Sequence, residues 1–395
     1  MKKSILTMFA LAALVITSCN DKGKEPEIPP TAPVNPMEKA IYMLTSQSGV
    51  NTGGSTFDIG KLLILTQDGL SENMFEKANP DKSLGHAARY LTMRENKLFV
   101  FSLTDHINNV PRITVINNNT LKIEKDIVLD ALVIQGIPDT PLGMHVVSSK
   151  KVYLFYAEKA FVVDLELGKK TKEITGFKDG FAYSPNAPLF EINDKLCGLI
   201  YNSYIMETNF VTIDTKTDAI QYIPITQDIP AQLILKDKDN NLLIFSKGIL
   251  DEIWKFFTIS TSGKVIKEKE LTKSFSGVAA VSSNEPIIFY QGTEDNHKKI
   301  YKWNYETDKT ELFADLKTNK PKFDQYRMRL AVHPVTKELL VSVSDDIVTK
   351  FIRVYDSKSA TLPATHKKEY GYNGKFRVVQ EFVFNKKTTD KTVKK

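Results

Sequence analysis

The chain has 395 residues, of which 25% are charged, and its formal net charge is +6. Acidic and basic residues are interspersed along the sequence, so this mild surplus gives no indication of a nucleic-acid-binding surface. The six histidines and two cysteines are scattered singly, which excludes a motif with zinc-ligand spacing. No apolar stretch after Ile16 is long enough to cross a membrane.

The N-terminus has the pattern of an export signal. Met1, Lys2 and Lys3 precede an apolar stretch from Ile5 to Ile16, which is short for a permanent transmembrane helix. The segment from Val15 to Cys19 reads Val-Ile-Thr-Ser-Cys and resembles a bacterial lipobox, in which two small residues precede the cysteine that becomes lipidated. We therefore expect a signal peptide over residues 1–18 and a lipid anchor on Cys19.

The next segments divide the mature chain into a tether, one domain and a tail. Residues 19–36 contain the lipidated cysteine, charged residues and five prolines, and are predicted to form a disordered tether. The run after Cys19 resembles the charged leader of Bacteroidota lipoproteins, some of which reach the cell surface. Residues 37–385 are predicted to form the folded domain, and the basic residues 386–395 a disordered tail.

Three kinds of strand recur in the same order along the domain. The first ends in a polar turn, the second is the most apolar, and the third ends at a turn-forming residue, as in Ala88–Asn96, Lys97–Leu103 and Ile113–Asn117. A weaker fourth strand follows, for example Lys122–Val128 or Ala219–Ile225. Each of the first three kinds of strand occurs seven times. The strands of the third kind end at Gln67, Asn117, Asp164, Asp214, Ser260, Asn304 and Asp356.

This spacing predicts a seven-bladed β-propeller with four antiparallel strands in each blade. The intervals between the seven turn residues are 50, 47, 50, 46, 44 and 52 residues. The strand at Val379–Asn385 has no partner after it, while the domain starts with a second-type strand at Ala40, so the C-terminal strand is expected to join the N-terminal blade and close the ring. A pair of β-sandwiches and a ring of six or eight blades are the alternatives.

No local motif indicates an enzyme or a resident cofactor. The run from Asp237 to Asn241 starts like a calcium loop, but Leu242 stands where that loop needs glycine, so we expect a polar hairpin turn. Gly53 and Gly54 lie between strands rather than before a helix, and no Gly-x-Ser-x-Gly sequence is present. His333 precedes Pro334 in a turn and is expected to be structural. Carboxylates that meet only in space stay possible.

A ligand is expected at the face of the ring where the inter-blade loops and the loops between second and third strands meet. These loops carry aromatic residues beside Lys and Arg, which suits a flat or anionic ligand. The predicted ligand-binding residues are Lys178, Phe181, Tyr183, Tyr204, Lys322, Tyr326, Arg327, Tyr370, Tyr372 and Arg377.

With its lipobox, tether and repeats, the chain resembles seven-bladed propeller lipoproteins of Bacteroidota, within the broader YncE-like propeller group. The resemblance spans Ala40 to Asn385 and includes turn sequences such as Ala331–Leu339. Such lipoproteins include surface proteins that capture cobalamin or ferric siderophores. The resemblance implies a non-enzymatic lipoprotein of the outer membrane, on its surface or its periplasmic leaflet, which hands a metal chelate to a TonB-dependent transporter.

Three other functions stay open at this stage. The ligand could be cobalamin, although the basic loops favour an anionic chelate such as a ferric siderophore. The protein could instead be an interaction scaffold of an envelope complex, which predicts a broad apolar patch. It could also be a glycan-active enzyme, which requires carboxylates or a histidine meeting at the channel mouth.

Overall fold

The structure, a computed structural model, describes residues 36–48, 58–104, 110–129, 133–134, 137–138, 141–156, 159–174, 181–182, 189–202, 205–247, 253–271, 275–316, 327–345, 349–372, 379 and 381–385. The described residues belong to one compact unit, which starts at Pro36. The predicted signal peptide, Cys19, nearly all of the predicted tether and the predicted tail lie outside the described residues.

Nearly all of the regular secondary structure in the described chain is β-strand. The strands are β1 Ile41–Ser48, β2 Asp58–Thr66, β3 Gly69–Ser71, β4 His86–Arg94, β5 Lys97–Thr104, β6 Arg112–Asn117, β7 Ile123–Val128, β8 Val133–Ile134, β9 Ile137–Pro138, β10 Gly143–Ser148, β11 Lys151–Phe155, β12 Ala160–Asp164, β13 Lys169–Ile174, β14 Phe181–Ala182, β15 Phe190–Ile192, β16 Lys195–Asn202, β17 Glu207–Asp214, β18 Ile220–Ile225, β19 Ala231–Lys236, β20 Leu242–Lys247, β21 Trp254–Ile259, β22 Val265–Glu270, β23 Phe275–Val281, β24 Ile287–Gly292, β25 Lys299–Asn304, β26 Lys309–Asp315, β27 Arg327–Val332, β28 Glu338–Asp345, β29 Thr349–Asp356, β30 Lys368–Tyr372 and β31 Glu381–Phe384.

Short helical segments interrupt this pattern at three places. A 3-10 turn at Pro36–Lys39 precedes β1, helix α1 covers Met74–Ala78, and helix α2 covers Glu294–His297. The sequence pattern predicted neither α1 nor α2, and α2 occupies a segment expected to be a loop between strands. Across the part of the chain that the structure describes, no helix is both long and apolar enough to span a bilayer.

The fold is an all-β propeller with antiparallel four-stranded blades. Among the described residues, five sheets of four or five strands stand apart, namely β10–β13, β14–β18, β19–β22, β23–β26 and β27–β30, and β8 pairs with β9 in a separate two-stranded sheet. The β14–β18 sheet has five strands because two short strands, β14 and β15, pair with different parts of β16. The innermost strands contact one another in sequence, β31 with β4, β4 with β10, β19 with β23, and β23 with β27. They therefore surround a central channel.

The prediction of seven separate four-stranded sheets is wrong at the start of the ring. Strands β31, β1, β2 and β3 and strands β4 to β7 form one eight-stranded sheet, joined where Ile59 of β2 pairs with His86 of β4. Glycine makes this contact possible, because a Cβ on Gly60 would lie 2.6 Å from the Cβ of Ala88. The Gly60 amide donates to the Gly85 carbonyl over 2.8 Å, so the backbones approach closely enough to continue the sheet.

The predicted closure of the ring is confirmed. The C-terminal strand β31 pairs antiparallel with β1, so that Ile41 lies opposite Phe384 and Leu44 opposite Glu381. The Asn385 side-chain amide also donates to the Met37 carbonyl over 2.8 Å. This pairing covers the inner edge of β1, which would otherwise be an exposed strand edge.

The hydrophobic core consists of layers between neighbouring sheets. In the described chain each buried apolar cluster joins adjacent units of the ring; one packs Phe99 and Phe101 of β5 against Val152 and Leu154 of β11. Another packs β1 and β2 against β4 and β5 within the eight-stranded sheet, with Tyr42, Leu62 and Leu98 fully buried. Cys197, predicted to be a buried core residue, is 2% exposed.

The turns between third and fourth strands have the chemistry that the repeat predicted. The Oδ1 of Asp164 accepts hydrogen bonds from the amides of Glu166 and Leu167, both at 2.8 Å. Asp214 and Asn304 accept equivalent pairs in their own turns. These side chains satisfy amides that no strand pairs, which is why Asp and Asn recur at this point of the repeat.

Candidate functional site

Most of the predicted ligand-binding residues lie on segments that the structure leaves undescribed. Outside the described residues are Lys178, Tyr183, Tyr204, Lys322, Tyr326 and Arg377. Phe181 begins β14 opposite Asn202, and Arg327 begins β27 opposite Ser344. Both strands are innermost in their sheets, so these two backbone positions lie beside the channel, at the end where the inter-blade connections enter.

Tyr370 and Tyr372 were assigned to an inter-blade loop, and the structure corrects this assignment. Both lie in β30, the outermost strand of its sheet, where Tyr370 pairs with Ile352 and Tyr372 with Lys350. Tyr372 is only 6% exposed and packs in a core with Met43 and Leu340. This packing extends β30 into the segment that was predicted to be a loop. Tyr370 is half-buried and lines a cavity between the β27–β30 sheet and β1–β2. Both tyrosines are therefore strand residues rather than loop residues.

Two arginines that were not among the predicted ligand-binding residues lie on innermost strands. Arg329 follows Arg327 by two residues in β27, and Arg89 occupies the register shift between Ala88 and Tyr90 in β4. The side chains of Arg89 and Arg329 are exposed to solvent. Burial nevertheless lowers the pKa of Arg329. A side chain that solvent reaches, yet that protein surrounds closely enough to penalise its charge, is expected in a narrow channel.

Glu381 lies between these two arginines in the order of the ring, on β31. Its Oε2 accepts a hydrogen bond from the Leu91 amide over 2.5 Å. Burial raises the pKa of Glu381 to about 7, while this hydrogen bond and the charge of Arg329 act in the opposite direction. Glu381 in turn contributes to the raised pKa of Tyr90, which burial dominates. The channel therefore holds two cations and one carboxyl group that gains or loses its proton near neutral pH.

A second polar cluster lies at the other end of the innermost strands. The guanidinium of Arg94, the last residue of β4, donates to both carboxylate oxygens of Glu191 at 2.9 and 3.0 Å. The Nε2 of His145 lies 3.5 Å from the same carboxylate. The His145 contact, followed by Arg94, lowers the pKa of Glu191 to about 2. Glu191 thus stays ionised and joins three successive blades at this end of the channel.

The described side chains provide no recognisable metal centre. No three His, Cys, Asp or Glu side chains converge within the residues that the structure describes. The run at Asp237 is the polar turn that the sequence predicted, because Asp237 Oδ1 accepts from the amides of Asp239 and Asn241 at 2.8 Å. His333 has the predicted structural role, since its Nδ1 accepts from the amides of Val335 and Thr336 at 3.1 Å.

A signal for the channel residues was present in the sequence. Once a first-type strand is recognised, its polar residues in an otherwise apolar run are candidates for the channel wall. Arg89, Arg329 and Glu381 are such residues, on β4, β27 and β31. Arg327 was predicted as a loop residue, whereas Arg329 lies inside an innermost strand and was not predicted.

The fold is similar to solved propeller structures at low sequence identity. A quinonprotein alcohol dehydrogenase-like protein from Bacteroides thetaiotaomicron matches with a TM-score of 0.52 and 14% identity, over 88% of this chain and 91% of that chain. A protein from Lactobacillus plantarum matches with a TM-score of 0.50 and 12% identity, over 86% of this chain and 99% of that chain. At these identities the similarity shows the fold alone.

Comparison with protein families gives the membership of the chain. A search of the curated proteins finds no match. The model of the family described as Domain of unknown function (DUF5074) matches residues 50–384, which is most of the chain. The chain therefore belongs to the DUF5074 family.

Proposed function

We propose that this protein is a non-enzymatic cell-envelope lipoprotein that captures a small anionic ligand, with a metal chelate such as a ferric siderophore as the first candidate. In this proposal Cys19 carries the lipid anchor in the outer membrane, and the ligand passes to a TonB-dependent transporter. The export signal, the lipobox-like segment and the resemblance to Bacteroidota propeller lipoproteins support the location.

We also infer that the ring has seven blades. One buried cluster packs side chains of β1 and β2 against side chains of β4 and β5. Strands of one flat sheet cannot pack face to face in this way, so the cluster supports two separate blades. The β1–β3 and β4–β7 halves then act as two blades with a single backbone pair between them, at Ile59 and His86. Added to the five separate sheets of four or five strands among the described residues, these two proposed blades would make seven.

The observation that carries the ligand proposal is the pair of channel arginines. Arg89 and Arg329 are reachable by solvent, and Arg329 is already partly desolvated by surrounding protein. An anion entering the channel therefore meets a cation whose charge water screens weakly. Arg329 is also two residues from Arg327, which was predicted from the sequence to bind the ligand, so the proposed site extends the predicted one inward.

The experiment is a calorimetric and absorbance titration of the soluble domain, residues 37–395, with ferric siderophores, cobalamin and haem. We expect one ferric chelate to bind with a dissociation constant of about 1 µM or below, more weakly as salt increases. The double variant R89Q/R329Q should weaken that binding by at least about tenfold. Absence of binding across the panel would contradict chelate capture, and preference for cobalamin would contradict an anionic cargo.

A matched control separates the arginine site from general loss of charge. Lys216 and Lys309 have side chains that are 75% and 76% exposed, and both lie away from the channel, one in a turn and one in β26. The variant K216Q/K309Q removes the same two charges and should bind the chelate as the wild type does. An equal loss in both double variants would remove the assignment to the channel.

One observation favours a second function, that of a glycan-active enzyme. Glu381 is a carboxyl group in a channel with a pKa of about 7, and a general acid requires a raised pKa of this kind. If the protein is such an enzyme, it should release reducing ends from a polysaccharide panel, and E381Q should abolish that release. The capture proposal expects no turnover with either protein.

A further inference from the structure

A cavity of about 330 Å³ opens at the seam where the last sheet meets the first strands of the ring. We call it the seam cavity. The turn between β27 and β28 and the turn between β2 and β3 form part of its wall, so it lies at the end of the ring opposite the inter-blade loops. Its lining includes Lys39, His333, Val335, Lys367, Lys368 and Tyr370, together with an aliphatic wall.

The seam cavity carries an excess of positive charge. Lys367 is shared between Glu338 at 3.7 Å and Asp356 at 3.4 Å. Lys39 and Lys368 are exposed, and neither forms an ion pair with a carboxylate on the described parts of the chain. Lys39 and Lys368 therefore give the cavity its excess of positive charge, and an anion placed between them would be attracted to both.

The polar side of the cavity is held in a fixed arrangement. His333 is 8% exposed, and its Nδ1 accepts two backbone hydrogen bonds within its own turn. Burial lowers its pKa, so the ring is neutral near pH 7 and its proton lies on Nε2. The ring also packs edge-on against Phe384 of β31, with 4.9 Å between ring centroids. The closure strand therefore fixes this turn before any ligand arrives.

The remaining wall is apolar. Ile41, Leu65, Leu340 and Val354 are all buried, and the half-buried ring of Tyr370 adds an aromatic surface. An inorganic ion would leave these side chains without contact. The lining fits a ligand with an anionic group at the lysines and a compact apolar body against the aliphatic wall. The volume of the cavity is at the lower end of the range found for small-molecule sites.

We propose that the seam cavity is a binding site for a small organic carboxylate with a flat or branched apolar body. The site is separate from the channel arginines and lies on the opposite face of the ring. This proposal therefore does not depend on the chelate proposal. Lys39 and Lys368 provide the charge that recognises the carboxylate, and Tyr370 with the aliphatic wall selects against fully hydrated ions.

The test uses 2-naphthoate as the probe and 2-naphthamide as its neutral counterpart, each titrated into the soluble domain of residues 37–395. Binding is followed by calorimetry and by methyl NMR. We expect naphthoate to bind at least about tenfold more tightly than the amide and to lose affinity as salt increases. The methyl signals of Leu65, Leu340 and Val354 should shift on titration. Equal affinity for both probes, or shifts confined to other methyl groups, would overturn the proposal.

Two variants test the charge and the space separately. K39Q/K368Q changes two exposed side chains and should weaken naphthoate binding at least about fivefold, whereas K216Q/K309Q should leave it unchanged. V335W fills the rim, where Val335 is 40% exposed, so it should block both probes without disturbing the core. Methyl NMR of each free variant shows whether it has the wild-type fold. Wild-type affinity in a folded V335W would overturn the proposed location.

Discussion

Glu381 of β31 accepts the backbone amide of Leu91 in β4, with 2.5 Å between the nitrogen and Oε2. The two strands belong to different halves of the eight-stranded sheet, and Leu91 follows the register shift in β4 between Ala88 and Tyr90. The carboxyl group therefore satisfies an amide at the inner edge of a neighbouring strand. This contact couples the protonation of one side chain to the packing of the ring.

Stability should fall as Glu381 ionises. Its folded-state pKa of about 7 lies above the ordinary value of 4.5 because burial disfavours the carboxylate. The folded state therefore binds this proton more tightly, so the stabilisation is complete below pH 4.5 and is lost as the pH rises through 7. We expect Glu381 to lower the free energy of unfolding by up to about 3 kcal/mol between pH 5 and 8.

Urea unfolding of the wild type and E381Q at pH 5, 6, 7 and 8 checks this prediction. Glutamine keeps an oxygen for the Leu91 amide but cannot ionise, so E381Q should show a flatter stability profile than the wild type. E166Q, at a side chain that is 61% exposed, is the control and should keep the wild-type slope. Parallel profiles for the wild type and E381Q would contradict the prediction.

The Glu191 cluster should respond to acid in the opposite direction. His145, followed by Arg94, depresses the pKa of Glu191 to about 2, so its stabilisation is present above pH 4.5 and is lost as the pH falls through 2. Arg94 is 39% exposed, which weakens the pair through solvent screening. We expect E191Q to cost about 1 kcal/mol at pH 7, and less as the pH falls from 4.5 towards 2. Denaturation at pH 7, 4 and 3 measures this, and a cost independent of pH would argue against it.

Much of the propeller could be predicted because its repeat is local. The turn residues Asn117, Asp164 and Asp214 can be recognised from residue type and spacing. Each accepts hydrogen bonds from amides within three residues of itself, so its role depends on local sequence alone. The most apolar strands are equally visible, and β16 has the predicted bounds Lys195–Asn202. Closure followed from a first-type strand at the C-terminus with no partner after it.

The join between the first two halves could not be predicted in this way. It depends on the approach of Gly60 to Ala88, which are 28 positions apart in the sequence. A glycine in a strand indicates a bulge, a bend or a close contact, and the sequence does not show which. Helix α1 was missed for a related reason, because its five residues are too few for a helical period to appear.

The seam cavity was harder still to predict. Lys39 and Lys368 lie at opposite ends of the domain and meet only because the ring closes. Closure was predicted, but the ligand site was expected only at the inter-blade face, whereas the turns of Gln67 and His333 belong to the other face. Tyr370 was selected for its aromatic ring as a loop residue, but it lies in β30 and lines this cavity.

A partly buried ion cluster between neighbouring blades should contribute more stability than an exposed pair. Asp218 is 12% exposed and lies 2.5 Å from Lys151 Nζ and 3.3 Å from Lys172 Nζ, and it also accepts the Tyr153 hydroxyl. Its backbone has a φ of 62°, which asparagine tolerates. We expect D218N to cost about 2 kcal/mol, because Lys151 and Tyr153 lose a charged acceptor.

Asp194 provides the matched comparison for Asp218. It pairs with Lys216 at 2.8 Å, but the two side chains are 66% and 75% exposed, and Asp194 also has a positive φ, of 59°. D194N should therefore change the free energy of unfolding by less than about 0.5 kcal/mol. Urea unfolding of both variants gives the comparison, and equal costs would show that the position between blades confers no advantage.

Removal of the closing strand should destroy the cooperativity of the ring. A chain ending at residue 380 lacks β31, and so loses the pairing of β1 with Phe382 and Phe384 and the bond from Asn385 to Met37. The inner edge of β1 is then open to pairing with another chain. We expect this truncation to unfold at a lower temperature and to self-associate, as followed by circular dichroism and size-exclusion chromatography.

A chain ending at residue 385 lacks only the predicted basic tail and should match the full-length protein. If the chain ending at residue 380 unfolded as cooperatively as the chain ending at residue 385, then the pairing of β31 with β1 would not be what holds the ring closed.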